Sequence, residues 1–132
     1  MSVLDSFRLD NKVAVVTGGG QGLGAAMATA LAEVGAQLVI ADLNPDTAQE
    51  TVAKIQKLGN KAMAIQVDVG QEGQIKDMFA QVVKEMGSVD VVINSAGLNR
   101  RFNLLELPTE EYDTIMNVNL RGTFIACREG AK

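Results

Sequence analysis

Five of the chain's thirteen glycines fall within seven residues, in the segment Thr17-Gly18-Gly19-Gly20-Gln21-Gly22-Leu23-Gly24. A β-branched apolar run precedes this segment and an amphipathic run follows it, so it reads as a turn from a strand into a helix. Glycine acts there by leaving room. Gly18 lets the chain turn tightly out of the strand. Gly22 puts no Cβ between the backbone and an incoming group. The first N–H groups of a helix lack partners and sit at the positive end of its dipole, so they can hold a pyrophosphate. Gly24 is expected to let the helix pack close to the sheet. Gly18, Gln21, Gly22, Leu23 and Gly24 are the binding residues expected at this turn. A flexible loop is the bland alternative, but the strand, the helix and a downstream acid agree against it.

That acid is Asp42, at the end of the second apolar run and close to the spacing expected for a carboxylate that binds an adenosine ribose. A carboxylate accepts hydrogen bonds from both ribose hydroxyls and repels a 2′-phosphate. Neither Gln21 nor Leu43 brings a cation to neutralise such a phosphate. The expected cofactor is therefore NAD rather than NADP. The competing reading of Asp42 is a solvated residue at a strand end.

Composition removes other chemistries. The 132 residues contain no histidine, which excludes a Ser-His-Asp triad, a Cys-His pair and any His-ligated metal within them, and no metal site is expected. The single cysteine, Cys127, can form no internal disulfide and suits a reducing cytoplasm. Twelve basic against sixteen acidic residues give a net charge of −4, and the basic residues are scattered apart from Arg100-Arg101. No electrostatic footprint for nucleic acid results. The first ten residues lack an apolar core of signal-peptide length, and residues 22–32 are too short to span a bilayer. The expectation is a soluble cytoplasmic protein with neither nucleic-acid nor membrane partners.

These residues need a scaffold, and the hydrophobic pattern supplies one. Continuous apolar runs at 13–17, 38–42, 62–67 and 89–93 predict four strands buried on both faces, as in a parallel sheet. Between them the period becomes helical. Leu23, Met27, Ala30, Leu31 and Val34 predict the inward stripe of a first helix that stops near Gly35. Asn44-Pro45 opens a second, burying Ala48, Val52 and Ile55 and ending at Gly59. Ile75, Met78, Phe79, Val82 and Met86 mark a third, closed by Gly87. Pro108-Thr109-Glu110-Glu111 opens a last helix, expected to run on to Lys132 and to contain Phe124-Ile125-Ala126. The order β-α-β-α-β-α-β-α predicts an α/β Rossmann-type doubly wound parallel sheet.

With these motifs in place, the chain resembles the short-chain dehydrogenase/reductase family from about Leu9 onward. The spacing Thr-Gly-x-x-x-Gly-x-Gly is characteristic of that family. Asp68-Val69, expected at the end of the third strand, resembles its adenine-edge contact. Asn94-Ser95-Ala96-Gly97 resembles its Asn-Asn-Ala-Gly, with Ser95 in place of the second Asn. Asn117-Val118-Asn119-Leu120-Arg121-Gly122 resembles its Asn-x-Asn-x-x-Gly segment. The resemblance implies a strand order of 3-2-1-4 for this half of the sheet. It adds Asp68, Val69, Asn94, Ala96 and Gly97 to the cofactor set. It makes Asn119 the catalytic Asn, whose backbone carbonyl holds a water in a proton relay. Asparagine in mid-helix has poor propensity, which suggests a special task or a local helix distortion there.

The implied chemistry is hydride transfer between nicotinamide and an alcohol or carbonyl carbon of a small molecule. The family's Tyr-x-x-x-Lys and Ser are not matched. Tyr112 is the only tyrosine, precedes Asn119, has Met116 four residues on, and reads as a packing residue. Residues 1–132 thus read as one dinucleotide-binding domain, incomplete at its C-terminus and inactive alone. The fourth strand would lose a neighbour, so oligomerisation, strand exchange or partial disorder after about Gly97 is expected. A homo-oligomer is the expected assembly. The loop Gly97-Leu98-Asn99-Arg100-Arg101 resembles that of sugar-acid dehydrogenases such as gluconate 5-dehydrogenase. Arg100 and Arg101 could hold a substrate carboxylate, or simply be a solvated loop or subunit contact. A non-catalytic NAD-binding or interaction module remains the alternative to an enzyme.

Overall fold

The computed structural model describes residues 1–132. Four parallel strands, β1 (Val13–Thr17), β2 (Gln37–Asp42), β3 (Ala62–Gln66) and β4 (Val91–Asn94), form one sheet in the order β3-β2-β1-β4. Helices α1 (Gly22–Glu33), α2 (Pro45–Lys57) and α3 (Glu72–Met86) connect successive strands. Alternate strand residues face opposite layers, because successive side chains on a strand point to opposite sides. Ala14, Val16, Leu38 and Ile40 pack with Ala28 and Ala32 of α1 and Ala48, Val52 and Ile55 of α2. Val13, Val15, Val39 and Ala41 pack on the other face with Ile75, Met78, Phe79 and Val82 of α3 and with Ile125 and Ala126. The sheet is therefore covered on both faces, as its uninterrupted apolar strands require.

Several boundaries and faces differ from the sequence reading. The third strand ends at Gln66, so Asp68 lies just beyond it, although Val67 still donates its N–H to the Asp42 carbonyl at 3.0 Å. The fourth begins at Val91, because the Asp90 carboxylate turns aside to accept the Val13 N–H at 2.8 Å. The inward stripe of α1 is Gly24, Ala28 and Ala32, while Leu23 is 79% exposed. The small residues win because a close helix–sheet approach buries more backbone than larger side chains would permit.

The C-terminal helical region is not one helix. A short 3-10 turn at Leu104–Glu106 precedes α4 (Thr109–Met116). A π-helical turn, Asn117–Gly122, then leads into α5 (Thr123–Gly130), which is capped at Ala131 rather than continuing to Lys132. Of the two readings of Asn119, a special task or a local distortion, the distortion is present. Tyr112 is 51% exposed on α4, which corrects its reading as a packing residue.

Two carboxylates join distant elements. The N–H of Val13 and the hydroxyl of Ser88, with Lys12 nearby, hold the Asp90 carboxyl below its ordinary pKa. Lys76 and Arg128 do the same for Glu72 at the start of α3. A depressed folded-state pKa adds stability that is fully present above the unfolded value and is lost as pH falls through the folded one. The melting temperature followed by circular dichroism is therefore expected to fall as pH drops below about 4. Asp90→Asn and Glu72→Gln should each lower it at neutral pH and flatten that acid-side fall. An unchanged slope in both variants would show that neither carboxylate contributes.

Candidate cofactor site

A cleft of about 950 Å³ opens where β1, β2 and β4 end and β3 has just ended. Its position follows from the topology: β1 sends its connection one way to β2 while β4 lies on its other side, so the loops part and leave a crevice.

The glycine-rich turn forms one wall. Gly18 has φ +63°, and a Cβ there would stand 2.7 Å from the backbone N and Cα of Ala96. Side chains are excluded because the β1 and β4 loops touch. Gly22 has φ +55° and nothing within 4 Å of its Cβ position, so its backbone faces open space. Gln21 precedes α1 without a side-chain cap, leaving first-turn N–H groups free to meet an anion. Gly24 is buried on the inward side of α1, and the nearest atoms to a Cβ there would be those of Gly18 and Gly19, in the turn that leaves β1.

Asp42 faces this turn. Its Oδ2 accepts the Gly20 N–H at 2.9 Å and its Oδ1 accepts the Asn44 N–H at 3.0 Å. Both contacts fix the orientation of the carboxylate, and each oxygen retains acceptor capacity. Thr51, buried on α2, donates to the Gly20 carbonyl at 3.3 Å. Asp68 Oδ1 accepts the Gly70 N–H at 2.8 Å, and Asp68 and Val69 line the cleft. The buried Thr17 hydroxyl donates to the Ile93 carbonyl at 3.4 Å and accepts the Ala96 N–H at 3.3 Å.

Every residue expected to bind cofactor lines this cleft except Asn94. Asn94 sits behind the wall, its Nδ2 donating to Cys127 Sγ at 3.3 Å. Asn119 does not line the cleft either, but its side chain clamps Leu98, which does. Oδ1 accepts the Leu98 N–H at 2.7 Å and Nδ2 donates to the Leu98 carbonyl at 2.8 Å. The Asn119 backbone carbonyl accepts the Thr123 hydroxyl at 2.8 Å. Of the two arginines, Arg100 lines the cleft but is ion-paired to Glu111, and Arg101 is exposed outside it. The structure thus places only one of the pair at the cleft. Sequence reasoning missed Thr17, Thr51, Leu98 and Val118. Only Thr17, inside the glycine motif, carried a local signal.

The cleft fits a dinucleotide on three structural grounds: open space at Gly22, uncapped N–H groups on α1, and a fixed carboxylate opposite them. Sheet order and cleft together define a Rossmann-type domain. The family model for short chain dehydrogenases matches residues 12–132. The chain belongs to the short-chain dehydrogenase/reductase family.

Elsinochrome reductase 1 of Elsinoe fawcettii is 40% identical over 133 residues, covering 100% of this chain and 50% of that protein. A short-chain dehydrogenase/reductase from Mycobacterium marinum superposes with a TM-score of 0.96 at 37% identity, covering 99% of this chain and 53% of that one. A short chain dehydrogenase from Burkholderia cenocepacia in complex with NADP has a TM-score of 0.90 at 37% identity, with coverages of 94% and 51%. A 7α-hydroxysteroid dehydrogenase complexed with NADH and 7-oxo glycochenodeoxycholic acid has 0.94 at 30% identity, with coverages of 99% and 51%. The chain spans about half the length of the curated relatives it matches. No helix is long and apolar enough to cross a membrane.

Proposed function

We propose that this chain is the cofactor-binding part of an NAD-dependent oxidoreductase that interconverts an alcohol and a carbonyl compound. The observation carrying this reading is Asp42, held by two backbone N–H groups at the cleft edge opposite the uncapped start of α1. The bound nicotinamide cofactor supplies the hydride chemistry. The N–H groups at Gln21, Gly22, Leu23 and Gly24 hold the pyrophosphate and Asp42 the adenosine ribose. Asp68 and Val69 flank the adenine. Ala96 and Gly97 line the nicotinamide side, with Asn94 supporting them from behind.

Asn119 is the proposed catalytic Asn. Its carbonyl oxygen has a second lone pair beyond the one given to Thr123, enough to hold a water. Tyr112 has no lysine four residues on, so proton transfer to substrate is assigned to residues outside this chain, which alone is proposed to be inactive. The names of the relatives, a reductase and a dehydrogenase bound to a 7-oxo compound, support a carbonyl as the group reduced. A sugar-acid carboxylate at Arg100 would have to displace Glu111, which weighs against an acidic substrate. Homo-oligomerisation is supported by β4, which pairs with β1 alone, and by the exposed Leu120 and Phe124. The free Cys127 suits a cytoplasmic location.

Fluorescence titration with NADH and NADPH tests the cofactor assignment. NADH is expected to bind at least about tenfold more tightly, the effect of roughly one lost charge-assisted hydrogen bond plus repulsion at Asp42. Tighter binding of NADPH would sink the argument from Asp42.

A further inference from the structure

The π-helical turn at Asn117–Gly122 lies between two loops of the cleft and touches both. Toward one, Asn119 clamps Leu98. Toward the other, Asn117 Nδ2 donates to the Gly70 carbonyl at 3.1 Å. The backbones are close here: a Cβ at Gly122 would lie 2.7 Å from the Val69 carbonyl oxygen. The Gly70 N–H in turn donates to Asp68 Oδ1. Asn117 Oδ1 accepts from Arg121 at 3.4 Å, and Arg121 donates to Glu72 at 3.0 Å. Polar contacts thus run unbroken from Asp68 through Gly70, Asn117 and Arg121 to the start of α3. Residues two apart lie roughly half a helical turn from each other, and Asn117 and Asn119 reach opposite ways, to Gly70 and to Leu98.

We propose that Asn117 is a positioning residue for the adenine side of the cleft. By holding the Gly70 carbonyl it sets the turn that presents Asp68 and Val69. The same turn of helix that steadies the nicotinamide-side loop through Asn119 then steadies the adenine-side loop through Asn117. The ligand part of this proposal rests on the dinucleotide reading, while the loop part rests on the contacts alone. The essential feature is a donor. Aspartate is isosteric but has none when ionised, and would set a negative charge against a carbonyl oxygen while keeping an acceptor for Arg121.

The test combines amide hydrogen exchange by NMR with calorimetric titration of ADP-ribose, in the 132-residue chain. In Asn117→Asp, exchange at Gly70 and Gln71 is expected to speed by about tenfold while Leu98 keeps its protection. ADP-ribose is expected to bind about tenfold more weakly. Asn119→Ala should give the mirror result in exchange, exposing Leu98 while Gly70 and Gln71 keep their protection. Unchanged exchange at Gly70 and Gln71 in Asn117→Asp, or equal acceleration at Gly70 and Leu98, would overturn the proposal. Failure of the unsubstituted chain to bind ADP-ribose would instead overturn the dinucleotide reading, and the exchange pattern would still decide the role of Asn117 in the turn.

Discussion

Gly24→Ala is expected to destabilise the chain by about 3 kcal/mol, the upper end of what overpacking a tight contact costs. The added Cβ would stand 2.8 Å from the Gly18 carbonyl carbon and 3.1 Å from the Gly19 Cα, with the Gly18 carbonyl oxygen nearer still. All three are backbone atoms, so no side-chain rotation relieves the clash. Either α1 moves outward or the glycine-rich turn flattens. Alanine's better helix propensity returns only about 1 kcal/mol. Denaturant unfolding measures the loss, and dinucleotide affinity should fall with it because the displaced turn is the proposed pyrophosphate wall. Gly22→Ala meets no neighbouring atom and carries only the strain of its positive φ, so it should cost less. Equal losses in the two variants would refute the assignment of Gly24 to a backbone contact.

Asp42→Ala is expected to weaken NADH binding by about 10- to 100-fold, the loss of one or two charge-assisted hydrogen bonds of roughly 1.5–3 kcal/mol each, partly offset by water. NADPH affinity should fall far less, because the repulsion of a 2′-phosphate disappears with the carboxylate. The ratio of the two affinities, read by calorimetry, therefore carries the result. A second effect comes from the fold. Asp42 accepts the N–H groups of Gly20 and Asn44, so its removal loosens the glycine-rich turn and the start of α2 as well. Asp42→Asn separates the two roles, since it keeps one oxygen acceptor but loses the charge that repels a phosphate. If Asp42→Ala lowered both affinities equally, the carboxylate would be a support for the turn rather than a selector of cofactor.

Much of the fold was legible because its signals are local and periodic. Apolar runs marked the four strands, and Gly59 and Gly87, with φ +91° at both, mark chain reversals after α2 and α3 where the sequence reading placed them. Strand ends were less legible. Val67 and Val89 are as apolar as their neighbours yet lie outside the strands, although the Val67 N–H still donates to the Asp42 carbonyl, and the Val13 N–H is taken by the Asp90 carboxylate. The inward face of α1 was misread at Leu23, which hydrophobicity favours but the structure exposes, while Leu31 does pack against the core and the fully buried positions are the small residues Gly24, Ala28 and Ala32.

The chain's amino-acid order by itself determined the alternation of elements, the glycine-rich turn after β1, the acid at the end of β2 and the family those motifs define. These are properties of neighbouring residues, so a linear reading reaches them. Only the tertiary structure decided that Arg100 is engaged by Glu111, that Asn94 stands behind the cleft wall, and that Thr51 secures the turn from α2. It also decided that Asn117 and Asn119, two residues apart, serve opposite loops. Those outcomes join residues up to 47 positions apart. Their energies come from the paired groups meeting in space, and no local propensity encodes such a meeting.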